Sequence, residues 1–153
     1  MTVYVDDLAP GREFVSAART VTEADLVLFA GVSGDFNPLH MDEPWVRDNT
    51  PFRGRIAHGM LVMSISSGLR TPILEELEVI AFLELSRMFV APTYPGDTIH
   101  ARWTVLDTRR SRSRPGLGII RLSVEVRNQN DAVVQRGTDV YLATADDGGG
   151  RAS

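Results

Sequence analysis

Between Ile56 and Leu69 the chain reads Ile-Ala-His-Gly-Met-Leu-Val-Met-Ser-Ile-Ser-Ser-Gly-Leu, without one acid, lysine or arginine. A helix over this stretch is apolar nearly all round, and such a helix is buried by the elements around it. Its Gly59, Ser64, Ser66, Ser67 and Gly68 are small, so an enclosing sheet can approach the helix backbone closely. That sheet is written into the second half of the chain, where the apolar period switches to two after Pro72. Ile99, Ala101, Trp103 and Val105 alternate with His100, Arg102 and Thr104, and Ile120, Leu122, Val124 and Val126 alternate with Arg121, Ser123, Glu125 and Arg127. Asn128-Gln129-Asn130-Asp131 reads as a turn and Val133 to Ala143 as a returning strand, which predicts an antiparallel meander.

The first half adds a short strand over Glu13 to Thr20 and a helix begun by Thr22-Glu-Ala-Asp25, a capping box before Leu26, Val27 and Phe29. Gly31 and Gly34 are expected to end that helix. One strand, then helices, then several strands is the order of an α+β fold. With 153 residues, 43% of them hydrophobic, the chain suits one domain over 1–145, and the glycine-rich 146–153 reads as a flexible tail.

Composition narrows the partners. The chain has no cysteine, which excludes disulfides, thiolate zinc sites and a cysteine nucleophile and suits a reducing cytoplasm. A net charge of −4 gives no global positive field to hold a nucleic acid. No apolar stretch approaches the roughly 20 residues of a membrane-spanning helix. Asp6 and Asp7 stand where an export signal needs basic residues, so a soluble, cytoplasmic protein is expected.

Chemistry concentrates in Ser33-Gly-Asp-Phe-Asn-Pro-Leu-His40. Residues five apart share neither a helix face nor a strand face. A turn enforced at Asn37-Pro38, where proline biases its neighbour away from helical angles, could curl Asp35 and His40 onto one side. An Asx turn with His40 exposed to solvent is the alternative. Downstream, His58-Gly59 opens the apolar helix, whose first N–H groups lack partners and can receive an oxyanion. Gly59 equally fits a demand for close helix and sheet packing.

Together with Phe52 and Ile56-Ala-His-Gly-Met60, this segment resembles the hydratase motif of the MaoC-like dehydratases, or R-specific enoyl-CoA hydratases, which have the hotdog fold. The match covers Ser33 to Leu69 closely and extends more loosely to Pro92, Pro95-Gly-Asp97 and Asn128-Gln129. The resemblance implies a curved antiparallel sheet around a central buried helix and a homodimer as the usual minimum. It implies that Asp35 and His40 are the catalytic pair, that Gly59 N–H receives the thioester oxygen, that Asn37 shapes the turn, and that Ser67 lines the site. The implied reaction adds water reversibly across a trans-2-enoyl-CoA to give the R-3-hydroxyacyl thioester. Asp35 would deprotonate the water, and His40 would position it and deliver a proton to C2. No metal and no cofactor beyond the coenzyme A of the substrate is implied.

Other residues carry weaker expectations. His58 reads as structural, His100 as solvated, and Asp35, His40 and Asp42 lack a strong metal-ligand spacing. Arg109 to Arg114 is either a solvated hairpin tip or a place where Arg110 and Arg112 meet coenzyme A phosphates. Competing functions are a 3-hydroxyacyl dehydratase acting on acyl carrier protein, a hydratase of branched or dicarboxylic enoyl-CoA, and a non-catalytic acyl-CoA-binding module.

Overall fold

In a computed structural model, residues 3–69 and 71–146 are described. After a single 3-10 turn at Val5–Asp7 come β1 (Glu13–Val15), β2 (Arg19–Thr20), α1 (Glu23–Ser33), α2 (Pro38–Met41), α3 (Glu43–Asn49), α4 (Gly59–Gly68) and α5 (Pro72–Glu76). They are followed by β3 (Val79–Phe89), β4 (Thr98–Arg110), β5 (Leu117–Arg127) and β6 (Val133–Thr144). The six strands make one antiparallel sheet in the order β1-β4-β5-β6-β3, with β2 also on β4. None of the described helices is long and apolar enough to cross a membrane.

The meander of β4, β5 and β6 is as the alternation predicts, and its inward residues, Ile99 to Val105 and Ile120 to Val126, are buried in the core with Leu61, Val62 and Ile65 of α4. Asp131 closes the β5–β6 turn at φ 59°. Four expectations need correction. The first strand splits, because Ser16 interrupts it: its N–H donates to Ala101 O while its Oγ accepts from Ala101 N–H, both at 2.9 Å. Helix α1 runs through Gly31 and ends only at Gly34, whose φ of 75° is a left-handed cap. Pro72 opens a helix instead of a strand: Thr71 caps it and the proline takes the first turn, where a missing N–H costs nothing. Finally, α4 is not enclosed all round, since Met60 at its start is 53% exposed.

Strand β3 pairs with β6 and not with β4, its successor in sequence. The connection from β3 to β4, residues 90–97, therefore has to cross the sheet's end. It passes over the start of α4, where Ala57 N–H donates to Thr93 O at 2.7 Å. That crossing builds one wall of the site. At the chain's other end Asp146 is anchored, its N–H donating to Asp6 Oδ2 at 2.9 Å; the rest of the expected tail, 147–153, lies outside the described residues.

Candidate active site

The local sequence explains how Asp35 and His40 meet. Gly34 ends α1, and Asp35 Oδ1 accepts the N–H of Asn37 at 3.2 Å. Asn37 in turn caps α2, accepting from Leu39 N–H at 2.9 Å, with Pro38 in the first turn. One helical turn then swings His40 back beneath Asp35. Both Asx contacts form, and they do not leave His40 in solvent: the turn is the device that buries it, to 8% exposure.

The hydrogen bonds assign the tautomers. His40 Nδ1 lies 2.7 Å from Ile56 O, a carbonyl that can only accept, so Nδ1 carries the proton and Nε2 offers a lone pair. That Nε2 is 3.9 Å from Asp35 Oδ2. His58, 2% exposed, stacks on His40 with ring centroids 3.8 Å apart, and its Nε2–H donates to Asp35 O at 2.9 Å. His58 thus ties the start of α4 to the backbone of the acid, while its Nδ1 is buried without a hydrogen-bond partner among the described residues. Burial pushes the His40 pKa below the ordinary imidazole value, reinforced by His58, although the Ile56 carbonyl and the Asp35 charge pull the other way. At neutral pH the ring is uncharged.

These groups open into a cavity of about 610 Å³. Its apolar wall includes Phe29, Leu39, Phe52, Val62, Phe89 and Pro92, and Asp35, His40 and Gly59 share its lining. His58, the N-cap of α4, makes no side-chain cap bond, so the first N–H groups of the helix stay uncapped by any side chain at this wall. A Cβ on Gly59 would fall 2.9 Å from the Phe89 ring, so the glycine answers a packing demand at the same place where it borders the cavity.

Not every expected residue is here. Ser67 donates to Met63 O at 2.9 Å and faces a separate small recess with Leu69, Leu74 and Trp103. Eight residues along α4 from Gly59, it stands roughly 12 Å further down the helix. Arg110 pairs with Asp6 at 3.0 Å and donates to Asp146 O at 2.6 Å, and Arg112 is exposed on the hairpin. Ala101 aligns through Val126 with Gln135 of the cavity, and Arg110 stands nine residues up the same strand, roughly 30 Å away, so within one chain neither arginine reaches the site. Asp42 caps α3 instead of joining a metal cluster. Asp35, His40 and His58 do approach within 4.8 Å of one another. His58 Nε2 is spent on a carbonyl, which leaves Nδ1 as the ring nitrogen of His58 with a free lone pair.

Periodicity had no signal for Gln135 and Phe89, which belong to strands remote in sequence. Gln135 is buried, and its Nε2–H donates to Gly59 O at 2.8 Å, fixing the first turn of α4 from the sheet.

Comparison with known proteins bears on the fold and the family. A Mycobacterium tuberculosis protein described as having a double hotdog fold superposes with a TM-score of 0.83 at 23% identity, covering 95% of this chain and 45% of that chain, a likeness of fold alone. The sheet and helix are those of the hotdog fold. The MaoC-like domain model matches residues 7–128, and the chain belongs to that family. An (R)-specific enoyl-CoA hydratase of Rhodospirillum rubrum is 39% identical over 102 residues, covering 67% of this chain and 69% of its own. A structure of a monoamine oxidase regulatory protein from Archaeoglobus superposes with a TM-score of 0.85 at 31% identity, covering 95% of this chain and 96% of that chain. Relatives named hydratases and dehydratases place this chain with enzymes that add or remove water.

Proposed function

We propose that the protein hydrates a trans-2-enoyl-CoA reversibly to the (R)-3-hydroxyacyl-CoA. The observation that carries this reading is the 3.9 Å gap between a carboxylate oxygen and an unprotonated imidazole nitrogen, at the wall of an apolar cavity beside a helix start. Water in that gap finds two acceptors and donates to both. Conjugation to the thioester makes C3 of the alkene electrophilic. As the water oxygen bonds to C3, Asp35 takes one of its protons, His40 Nε2 keeps hold of the other, and the electron pair moves through C2 onto the thioester oxygen. Gly59 N–H receives that oxygen, a donor typically worth about 2.7–4 kcal/mol in the transition state. The carboxyl group then gives its proton to C2. Water is divided as OH at C3 and H at C2, both residues end as they began, and the steps consume only water and thioester.

This assignment alters the role expected of His40. Its Nε2 carries no proton in the resting tautomer, so delivery to C2 falls to Asp35, while the imidazole orients the water. A reducing cytoplasm suits a chain without cysteine that works on coenzyme A thioesters. We infer a homodimer as the working unit. β3 is the last strand of the sheet, with Ile80, Phe82, Leu83, Met88 and Phe89 exposed, and an apolar free edge of this kind is covered in a stable protein.

The test is chromatographic consumption of crotonyl-CoA with the chirality of the product recorded. Asp35→Asn and His40→Ala are each expected to lower kcat by about 10²- to 10⁴-fold, the usual share of a positioned acid or base. Wild-type protein that binds the thioester and leaves it unchanged would be a binding module, and this reading would then be wrong.

A further inference from the structure

We propose that Arg53, held on the face of Tyr94 in the depression whose chain segments continue from the cavity wall, binds a phosphate of the carrier that brings in the acyl thioester. This rests on the hydratase reading and names how the same site recognises the distal part of its substrate.

Two chain segments leave the cavity wall side by side. Phe52 lines the cavity and Arg53 follows it; Pro92 and Thr93 line it and Tyr94 follows them. The guanidinium carbon of Arg53 lies 4.1 Å from the centre of the Tyr94 ring. Stacking of this kind immobilises a guanidinium while leaving its in-plane N–H donors free. Among the described residues Arg53 forms no ion pair, and no hydrogen bond engages its donors.

The surrounding charges explain why it stays free. A depression of about 230 Å³ beside the cavity is lined by Glu23, Glu43, Arg53, Arg55 and Tyr94. Arg55 holds Glu23 at 2.8 Å and Glu43 at 3.2 Å, and Arg47 holds Glu43 at 3.0 Å. Three guanidinium groups thus meet two carboxylates, and the unneutralised charge is on Arg53. Gly54 keeps the loop in register, since a Cβ there would meet Glu43 Oε1 at 2.6 Å. On a chain of net charge −4, an arginine without an ion pair, stacked on an aromatic ring one residue beyond the cavity wall, is suited to an anion on the substrate's far end. Coenzyme A and a phosphopantetheinyl arm both carry a phosphate ester there.

The experiment compares crotonyl-CoA, crotonyl-4′-phosphopantetheine and crotonyl-pantetheine on wild type, Arg53→Ala and Tyr94→Leu. Arg53→Ala is expected to raise KM for crotonyl-CoA about tenfold with kcat little changed, the size of one charge-assisted contact, and to leave crotonyl-pantetheine unaffected. Tyr94→Leu should move KM the same way by less. A loss shared by the phosphopantetheine substrate assigns the 4′-phosphate, and a loss confined to crotonyl-CoA assigns a phosphate of the nucleotide end; either supports the proposal. A KM for crotonyl-CoA within twofold of wild type, or an equal rise on all three substrates, overturns it. If wild type turns over none of them, the hydratase reading fails by itself. Arg53 is then judged by calorimetric binding of free coenzyme A: weaker binding by Arg53→Ala sustains the phosphate contact, and equal binding or none overturns it.

Discussion

His40 owes its chemistry to one hydrogen bond. Because Nδ1 is committed to the Ile56 carbonyl, the only site left for a proton is Nε2, the atom that faces Asp35. On the proposed hydratase reading, protonation there removes the acceptor that would orient water, so hydration should slow as pH falls through the His40 pKa, which burial sets below 6.5. The sign for stability is the same. An unfolded imidazole binds its proton at higher pH than this buried one, so the residue's contribution is intact above about 6.5 and is lost as pH falls through the folded-state value. The Asp35 carboxylate favours the charged ring, so Asp35→Asn should lower the His40 pKa still further. Proton NMR titration of the imidazole reads this directly, and an upward shift in Asp35→Asn would contradict the arrangement of charges described here. The pair was legible in the sequence only in part: Gly34, Asn37 and Pro38 mark a turn there, and the resemblance to the hydratase motif chose the arrangement that brings Asp35 and His40 together. The tautomer was not, since the carbonyl that sets it lies sixteen positions away.

At the scale of elements, the strands announced by alternation are those whose two faces differ, one in the core and one in water. β3 lacks that contrast, with exposed side chains on both faces, and alternation does not disclose it. Besides its ladder with β6, it makes a buried contact that no local pattern encodes. Arg87 of β3 and Asp139 of β6 pair at 2.7 Å with their side chains 2% and 0% exposed, and Trp103 Nε1–H of β4 donates to the same carboxylate at 3.2 Å. Removing one partner strands a buried charge, so Arg87→Met should lower stability by about 3–5 kcal/mol, read from the urea midpoint. Conversion of both, Arg87→Met with Asp139→Leu, should recover much of that loss. A single variant as stable as wild type would mean that water already reaches the pair.

For the whole molecule, the arrangement of edges bears on the proposed homodimer. β1 and β2 cover part of the free side of β4, whereas the eleven residues of β3 end the sheet on the other side without a described neighbour. Pairing through this edge predicts a dimer by sedimentation at micromolar concentration, and Phe82→Lys with Leu83→Glu should yield monomers. A wild-type monomer, or dimers undisturbed by both charges, would place the interface elsewhere.

The sequence by itself determined the class of fold, the apolar central helix, the β4 to β6 meander and the presence of a turn between Asp35 and His40. Each of these follows from interactions between residues a few positions apart, or from a repeat that sorts side chains between oil and water. Only the tertiary structure decided that β3 lies beside β6, that Ser67 faces a recess separate from the cavity, that Phe89 and Gln135 line the cavity, and that Arg53 and Tyr94 meet in the neighbouring depression. Those placements arise from strand order and loop crossings, where the partners are dozens of residues apart and no periodicity connects them.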